Sequence, residues 1–169
     1  MNFILETPRL YLRQMTPADA PNAFELNSDP EVIRYTGDDP FESIQAAATF
    51  LINYKDYEKY GVGRWAVIRK EDDAWLGWCG LKWLAEKGEI DLGYRLLQRY
   101  WNKGYATEAA KACVAYGFQK FEYSFIVGRV LQENISSIKV LEKAGLSFVA
   151  EESFHGEEGF YYRIDRPKA

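Results

Sequence analysis

Two hydrophobic periods meet between residues 89 and 121. Ile90, Leu92, Tyr94 and Leu96 alternate with Glu89, Asp91, Gly93 and Arg95, the period-two pattern of a strand with one buried face. From Ala106 the period becomes helical. Ala106, Ala109, Ala110, Cys113, Val114, Gly117 and Phe118 share one stripe, while Glu108, Lys111, Ala115, Gln119 and Glu122 share the other. The apolar stripe is built of small residues, so this helix can lie close on a sheet. Its N-terminus then falls just past the strand end, at the turn Trp101-Asn102-Lys103-Gly104-Tyr105.

The remaining pattern is mixed. Thr7 to Gln14 reads as a first strand. Thr16-Pro17 starts a helix, with Thr16 as N-cap, that ends near Asn27, and Ser28-Asp29-Pro30 restarts a short one. A third helix is predicted from Phe41 to Tyr60, with Ala47, Phe50, Leu51 and Tyr54 inward. Arg64–Arg69 and Trp75–Leu84 read as strands joined by a polar turn, and Glu86-Lys87-Gly88 turns into the strand from Glu89. After the long helix come a strand from Tyr123 to Leu131 and a helix from Asn134 to Ala144, with Gly145 as its stop. A final hairpin spans Leu146–Ser153 and Gly159–Ile164. The helical crossover makes the strands at 89 and 123 parallel if they are neighbours, within an otherwise antiparallel sheet. The fold class is α+β, with no repeat, linker or domain boundary across residues 1–169.

The strand–glycine–helix junction carries the first candidate chemistry. Unpaired N–H groups and the positive end of the helix dipole converge there, Gly104 permits close approach, and Lys103 adds a cation. Phosphate suits such a site, although a glycine turn with a solvated lysine is the plainer alternative. Composition narrows the partners. The net charge of −4, without a basic run, argues against nucleic acid as the main partner. With no leader-like start and no 18-residue apolar run, membrane insertion is not expected and a reducing cytoplasm is. Cys79 and Cys113 fall at packing positions and read as buried thiols. With His155 as the sole histidine, neither Cys–His catalysis nor a metal site is expected.

The string WNKGYATEA, Trp101 to Ala109, resembles the acetyl-CoA loop of the GNAT N-acetyltransferases, and in particular the branch of the ribosomal-protein N-acetyltransferases RimJ and RimL. There WGKGYATEA is typical, and the present string differs only at Asn102. Trp101 takes the place of the more general Arg or Gln. A second segment, NISSIKVLEKAGL from Asn134 to Leu146, resembles the family's Asn-x-x-Ser motif through Asn134, Ser137, Glu142, Lys143 and Gly145. LETPRLYLRQ and the Asp29–Tyr35 string extend the likeness over nearly the whole chain.

The resemblance implies a single GNAT domain over 1–169, a three-layer α/β/α sandwich around a mixed, mostly antiparallel, twisted sheet of about seven strands, and an acetyl-CoA-dependent N-acetyltransferase. Acetyl-CoA would be a consumed co-substrate. Its pyrophosphate would meet the N–H groups of Asn102, Lys103, Gly104, Tyr105, Ala106 and Thr107, beside Trp101. Its pantetheine arm would pair with the backbone of Tyr94 to Leu96 and with Asn134. Many relatives use a tyrosine seven residues after this asparagine as general acid, but here that position is Leu141. The RimJ/RimL branch points instead to Ser137, which equally suits a helix cap.

An amine must lose a proton to attack, and Asp91 is the candidate base, with a solvated strand carboxylate as its alternative. The expected acceptor is a primary amine, on a peptide N-terminus or a small molecule. Asp38, Asp39 and Glu42 could draw a cationic amine or form a solvated turn. Leu141 keeps open a noncatalytic acyl-CoA-binding module, and dimerisation and acyl-chain length are likewise open.

Overall fold

The computed structural model describes residues 2–154 and 156–168, so His155 lies outside the described residues. The chain runs β1 Leu5–Glu6, β2 Leu10–Arg13, a 3-10 turn, α1 Ala20–Ser28, α2 Pro30–Ile33, α3 Ile44–Ile52, α4 Asp56–Tyr60, β3 Arg64–Arg69, β4 Trp75–Leu84 and β5 Glu89–Leu96. It continues with α5 Tyr105–Lys120, β6 Phe125–Leu131, α6 Ile135–Lys143, β7 Ser147–Phe154 and β8 Glu157–Asp165. All strands join one sheet in the order β1-β2-β3-β4-β5-β6-β8-β7. Among the described residues only β5 and β6 run parallel.

The boundaries of β3, β4 and β5 are those that alternation predicts. Two elements differ. The expected strand Thr7–Gln14 is shorter, and the separate β1 pairs with it through Leu5↔Leu12, giving eight strands among the described residues. The expected helix Phe41–Tyr60 is two helices. α3 starts at its Ser43 cap, whose side chain accepts from the Ala46 N–H, and ends at Asn53. The break lets two tyrosines reach the start of β3. Tyr54 Oη accepts from the Arg64 N–H at 2.8 Å, and Tyr57 Oη donates to the Arg64 carbonyl at 2.5 Å. Tertiary hydrogen bonding here overrides helical propensity.

The sheet separates two cores. On one side α1 and α3 bury Ala23, Leu26, Ala47 and Leu51 against Ala66, Ile68 and Trp78. On the other, α5 and α6 bury Ala109, Ala110, Cys113, Val114, Val140 and Leu141 against Cys79, Leu81, Leu92, Ile126 and Val130. The small-residue stripe does what its size allows. A Cβ built on Gly117 would lie 2.9 Å from Leu81 Cδ1 and 3.2 Å from Ile126 Cδ1, so α5 rests directly on β4 and β6. Cys79 and Cys113 are both free thiols, fully buried across this interface, with their sulfurs 3.7 Å apart.

This packing sets a testable asymmetry between the two faces of α5. Gly117→Leu should cost about 2–3 kcal/mol by overpacking and lower Tm by roughly 5–10 °C, while Ala115→Leu on the exposed face should stay within about 0.5 kcal/mol. Thermal melts of both variants check it, and equal melting temperatures would contradict the close packing.

Candidate active site

The site begins where β5 and β6 part. Their parallel ladder holds one residue pair, Asp91 with Val127. Beyond it β5 stays on β4 through Cys79↔Tyr94, Trp78↔Arg95 and Gly77↔Leu96, while β6 stays on β8. The facing edges of the fork therefore present backbone groups with no strand between them. α5 closes the open end. Gly104 adopts φ +83° as its N-cap and makes no side-chain cap, and Asn102 is left-handed too, at φ +62°. The first intrahelical bond runs from the Glu108 N–H to the Gly104 carbonyl, which leaves the N–H groups of Tyr105, Ala106 and Thr107 to the first turn's open end.

The turn is held from behind. Arg9 Nε bonds Glu108 Oε1 at 2.8 Å, the Arg9 N–H bonds Glu108 Oε2 at 3.0 Å, Arg9 Nη1 bonds the Lys103 carbonyl at 3.0 Å, and the guanidinium lies 4.3 Å from the Tyr105 ring centroid. Thr7 Oγ1 also donates to Glu108. Burial works to raise the Glu108 carboxyl, but the bonds from Thr7 and Arg9 and the Arg9 charge outweigh it, so its pKa lies below the ordinary value.

A groove of about 600 Å³ runs along the fork. Tyr94, Leu96, Trp101, Asn102, Gly104, Tyr105, Ala106 and Thr107 line one side, and Asn134 and Ser137 at the start of α6 line the other. Arg34, Lys139 and Lys143 add cations to its walls. Lys143 belongs to the second motif, whereas Arg34 and Lys139 carry no role in the sequence pattern, because isolated exposed cations give no signal until a groove gathers them. Lys103 is exposed and is not among the lining residues. Trp101 spends its indole N–H on the Leu96 carbonyl at 2.8 Å, bracing the strand end to the turn. A second, more open depression of about 710 Å³, lined in part by Phe24, Glu25, Leu97 and Arg99, contains none of the expected residues.

Asn134 caps α6: its Oδ1 accepts from the Ser137 N–H at 3.3 Å. Ser137 Oγ lies 2.8 Å from Tyr94 Oη. Burial raises the Tyr94 phenol's pKa, with the Ser137 hydrogen bond working weakly against it. Leu141 is buried and packs over Gly128.

Asp91 sits at the apex of the fork but on the other face of the sheet, outside the groove lining. Its Oδ2 accepts from Arg64 Nη2 at 2.7 Å, and Arg64 Nη1 also bonds the Asp91 and Gly80 carbonyls, each at 2.9 Å. Burial pushes the Asp91 carboxyl upward, and Arg64 pulls it only partly back. Asp38 does not stand free, because it pairs with Arg95 Nη2, whose Nη1 bonds Asn27 at 3.0 Å. No metal cluster and no membrane-length apolar helix occur among the described residues.

Residues 9–147 match the acetyltransferase (GNAT) domain. The chain is 36% identical over 149 residues to the uncharacterized N-acetyltransferase p20 of Bacillus licheniformis, covering 87% of this chain and 83% of that one. A GNAT-family acetyltransferase of Bacillus anthracis superposes with a TM-score of 0.82 at 25% identity, over 98% and 99% of the two chains. The spermidine N-acetyltransferase of Vibrio cholerae, solved with CoA and spermine, shares the fold at a TM-score of 0.78 and 17% identity, over 95% and 97%.

The Glu108 anchor gives a pH test. A lowered folded pKa means stability that is present above the unfolded value, about 4.3, and lost as pH falls through the folded value. Glu108→Gln should therefore melt below the parent protein at pH 7, with the difference shrinking toward pH 3. A pH-independent difference would rule out the charged anchor.

Proposed function

Because the chain belongs to the GNAT acetyltransferase family and is an acetyltransferase, we propose that it moves the acetyl group of acetyl-CoA directly onto a primary amine, as a single domain of the RimJ/RimL-like branch. The observation that carries this is the fork of β5 and β6, closed at one end by the uncapped first turn of α5 and flanked by Asn134 and Ser137 in one groove. The WNKGYATEA string supports the branch.

Three kinds of recognition follow from the groove. The pyrophosphate meets the N–H groups of Gly104 to Thr107 and the helix dipole, where anions are favoured. The pantetheine arm lies in the fork and takes the backbone partners that a strand would otherwise supply. The Asn134 side-chain nitrogen makes no hydrogen bond among the described residues and is free for a pantetheine carbonyl. In this reading Lys103 serves the phosphates through its backbone and its charge.

Chemistry then needs a base, an oxyanion donor and an acid. Asp91, at the apex of the fork and on the sheet face toward α1 and α3, takes the amine proton through a water. Its upward-shifted carboxyl is the better base for that shift. A backbone N–H of Tyr94 to Leu96 meets the developing oxyanion. Ser137 gives a proton to the departing thiolate. Cys79 and Cys113 are fully buried, and burial pushes the Cys113 thiol upward, which favours direct attack over an acyl-cysteine intermediate. The acceptor is a peptide N-terminus or a small amine. The noncatalytic reading is not favoured, since the relatives are N-acetyltransferases by name.

Thiol release from acetyl-CoA across a panel of free-N-terminus peptides, polyamines, amino acids and aminoglycosides should find turnover with one class. CoA alone should raise Tm. CoA binding without turnover on any class would contradict the enzyme reading.

Ser137→Ala should reduce kcat by at least about tenfold with the fold intact, in the range of acid–base catalysis. Asp91→Asn should remove the acidic-side inflection of the kcat/KM profile and leave the amine's own inflection. The Gly80 carbonyl and the residue-91 carbonyl still hold Arg64 in that variant. Unchanged kcat, or an unchanged profile, would remove the respective residue from its role.

A further inference from the structure

Leu141, on α6, is buried against Gly128 and has no proton to give. A phenol nevertheless reaches the groove from another element. Tyr94 extends from β5, on the face toward α5 and α6, and its Oη meets Ser137 Oγ at 2.8 Å on the first turn of α6. Both side chains line the groove. Ser137 is fixed from its other side by the Asn134 cap on its N–H. Asn134 therefore holds the backbone of Ser137, and Tyr94 meets its hydroxyl.

A serine hydroxyl is a far weaker acid than a thiol, whose pKa is near 8.5, whereas a free phenol near 10 comes much closer. A serine that hands its proton to a thiolate therefore needs a second donor behind it.

Resting on the acetyl-transfer reading above, we propose that Tyr94 is the positioning and relay residue for Ser137. Its Oη–H donates to Ser137 Oγ, which turns the serine proton toward the sulfur of bound acetyl-CoA. When the tetrahedral intermediate collapses, the C–S bond breaks and its electron pair goes to sulfur. Ser137 Oγ gives its proton to that sulfur and takes the Tyr94 proton in the same motion. The phenolate regains a proton from water, which carries the one the amine lost on attack. One proton has then moved from amine to thiol, and no other reactant is used. Burial keeps the phenol protonated before each turnover.

The test is steady-state kinetics of the full-length protein and its Tyr94→Phe, Ser137→Ala and double variants, with acetyl-CoA and with its selenoester analogue. CoA affinity by calorimetry and Tm accompany each variant. Phenylalanine keeps the ring and removes only the hydroxyl. The expected result is a kcat at least about tenfold lower for each single variant, with KM for acetyl-CoA and Kd for CoA within about twofold. The double variant should be no slower than Ser137→Ala. With the selenoester, whose leaving group departs without a proton, the deficits should largely vanish. Parent-like kcat for Tyr94→Phe, losses that multiply in the double variant, or a deficit that persists with the selenoester would overturn the proposal. A parent protein that binds no CoA would instead overturn the acetyl-transfer reading itself.

Discussion

Parallel strands β5 and β6 share a single ladder pair, Asp91 with Val127, because each is committed elsewhere beyond that point, β5 to β4 and β6 to β8. An unpaired backbone edge inside a protein is costly unless something meets its N–H and C=O groups. Here the β5 edge at Tyr94 to Leu96 opens onto a groove whose far wall is the start of α6. In the proposed reading an extended, amide-bearing chain meets those groups at the fork. The turn from β5 into α5 places a second set of unmet donors at the fork's mouth. Arg9 and Glu108, joined across the start of β2, keep that turn from relaxing into solvent.

The sheet also divides the labour. Residues of odd number in β5 face α1 and α3, so Asp91 and Arg95 sit among Arg64, Asn27 and Asp38. Residues of even number face α5 and α6, so Tyr94 meets Ser137. The proposed proton removal at Asp91 and proton delivery at Ser137 would thereby fall on opposite faces of one strand. Environment then tunes each group: burial against an arginine for Asp91, and burial beside a serine for Tyr94.

Much of this was legible in the sequence, where a local pattern decides the outcome. The bounds of β3, β4 and β5, the small face of α5, the start of α6 and the glycine turn all follow from spacing and residue type, although Asn134 and not Ser137 is the cap of α6. What spacing cannot encode is contact between distant segments. The Asp91–Arg64 pair spans 27 residues, Tyr94–Ser137 spans 43 and Arg9–Glu108 spans 99. The helix expected over Phe41–Tyr60 divides for the same reason, since Tyr54 and Tyr57 are drawn to Arg64. The fork depends on β8 entering beside β6, which alternation within either strand does not announce.

The central claim is that CoA occupies the fork and the first turn of α5 together. Amide hydrogen exchange of the protein with and without CoA tests it most directly. With CoA seated there, exchange should slow chiefly at residues 94–96 and 104–107. Protection confined to other segments, such as the depression lined by Phe24 and Arg99, or no protection at saturating CoA, would contradict it.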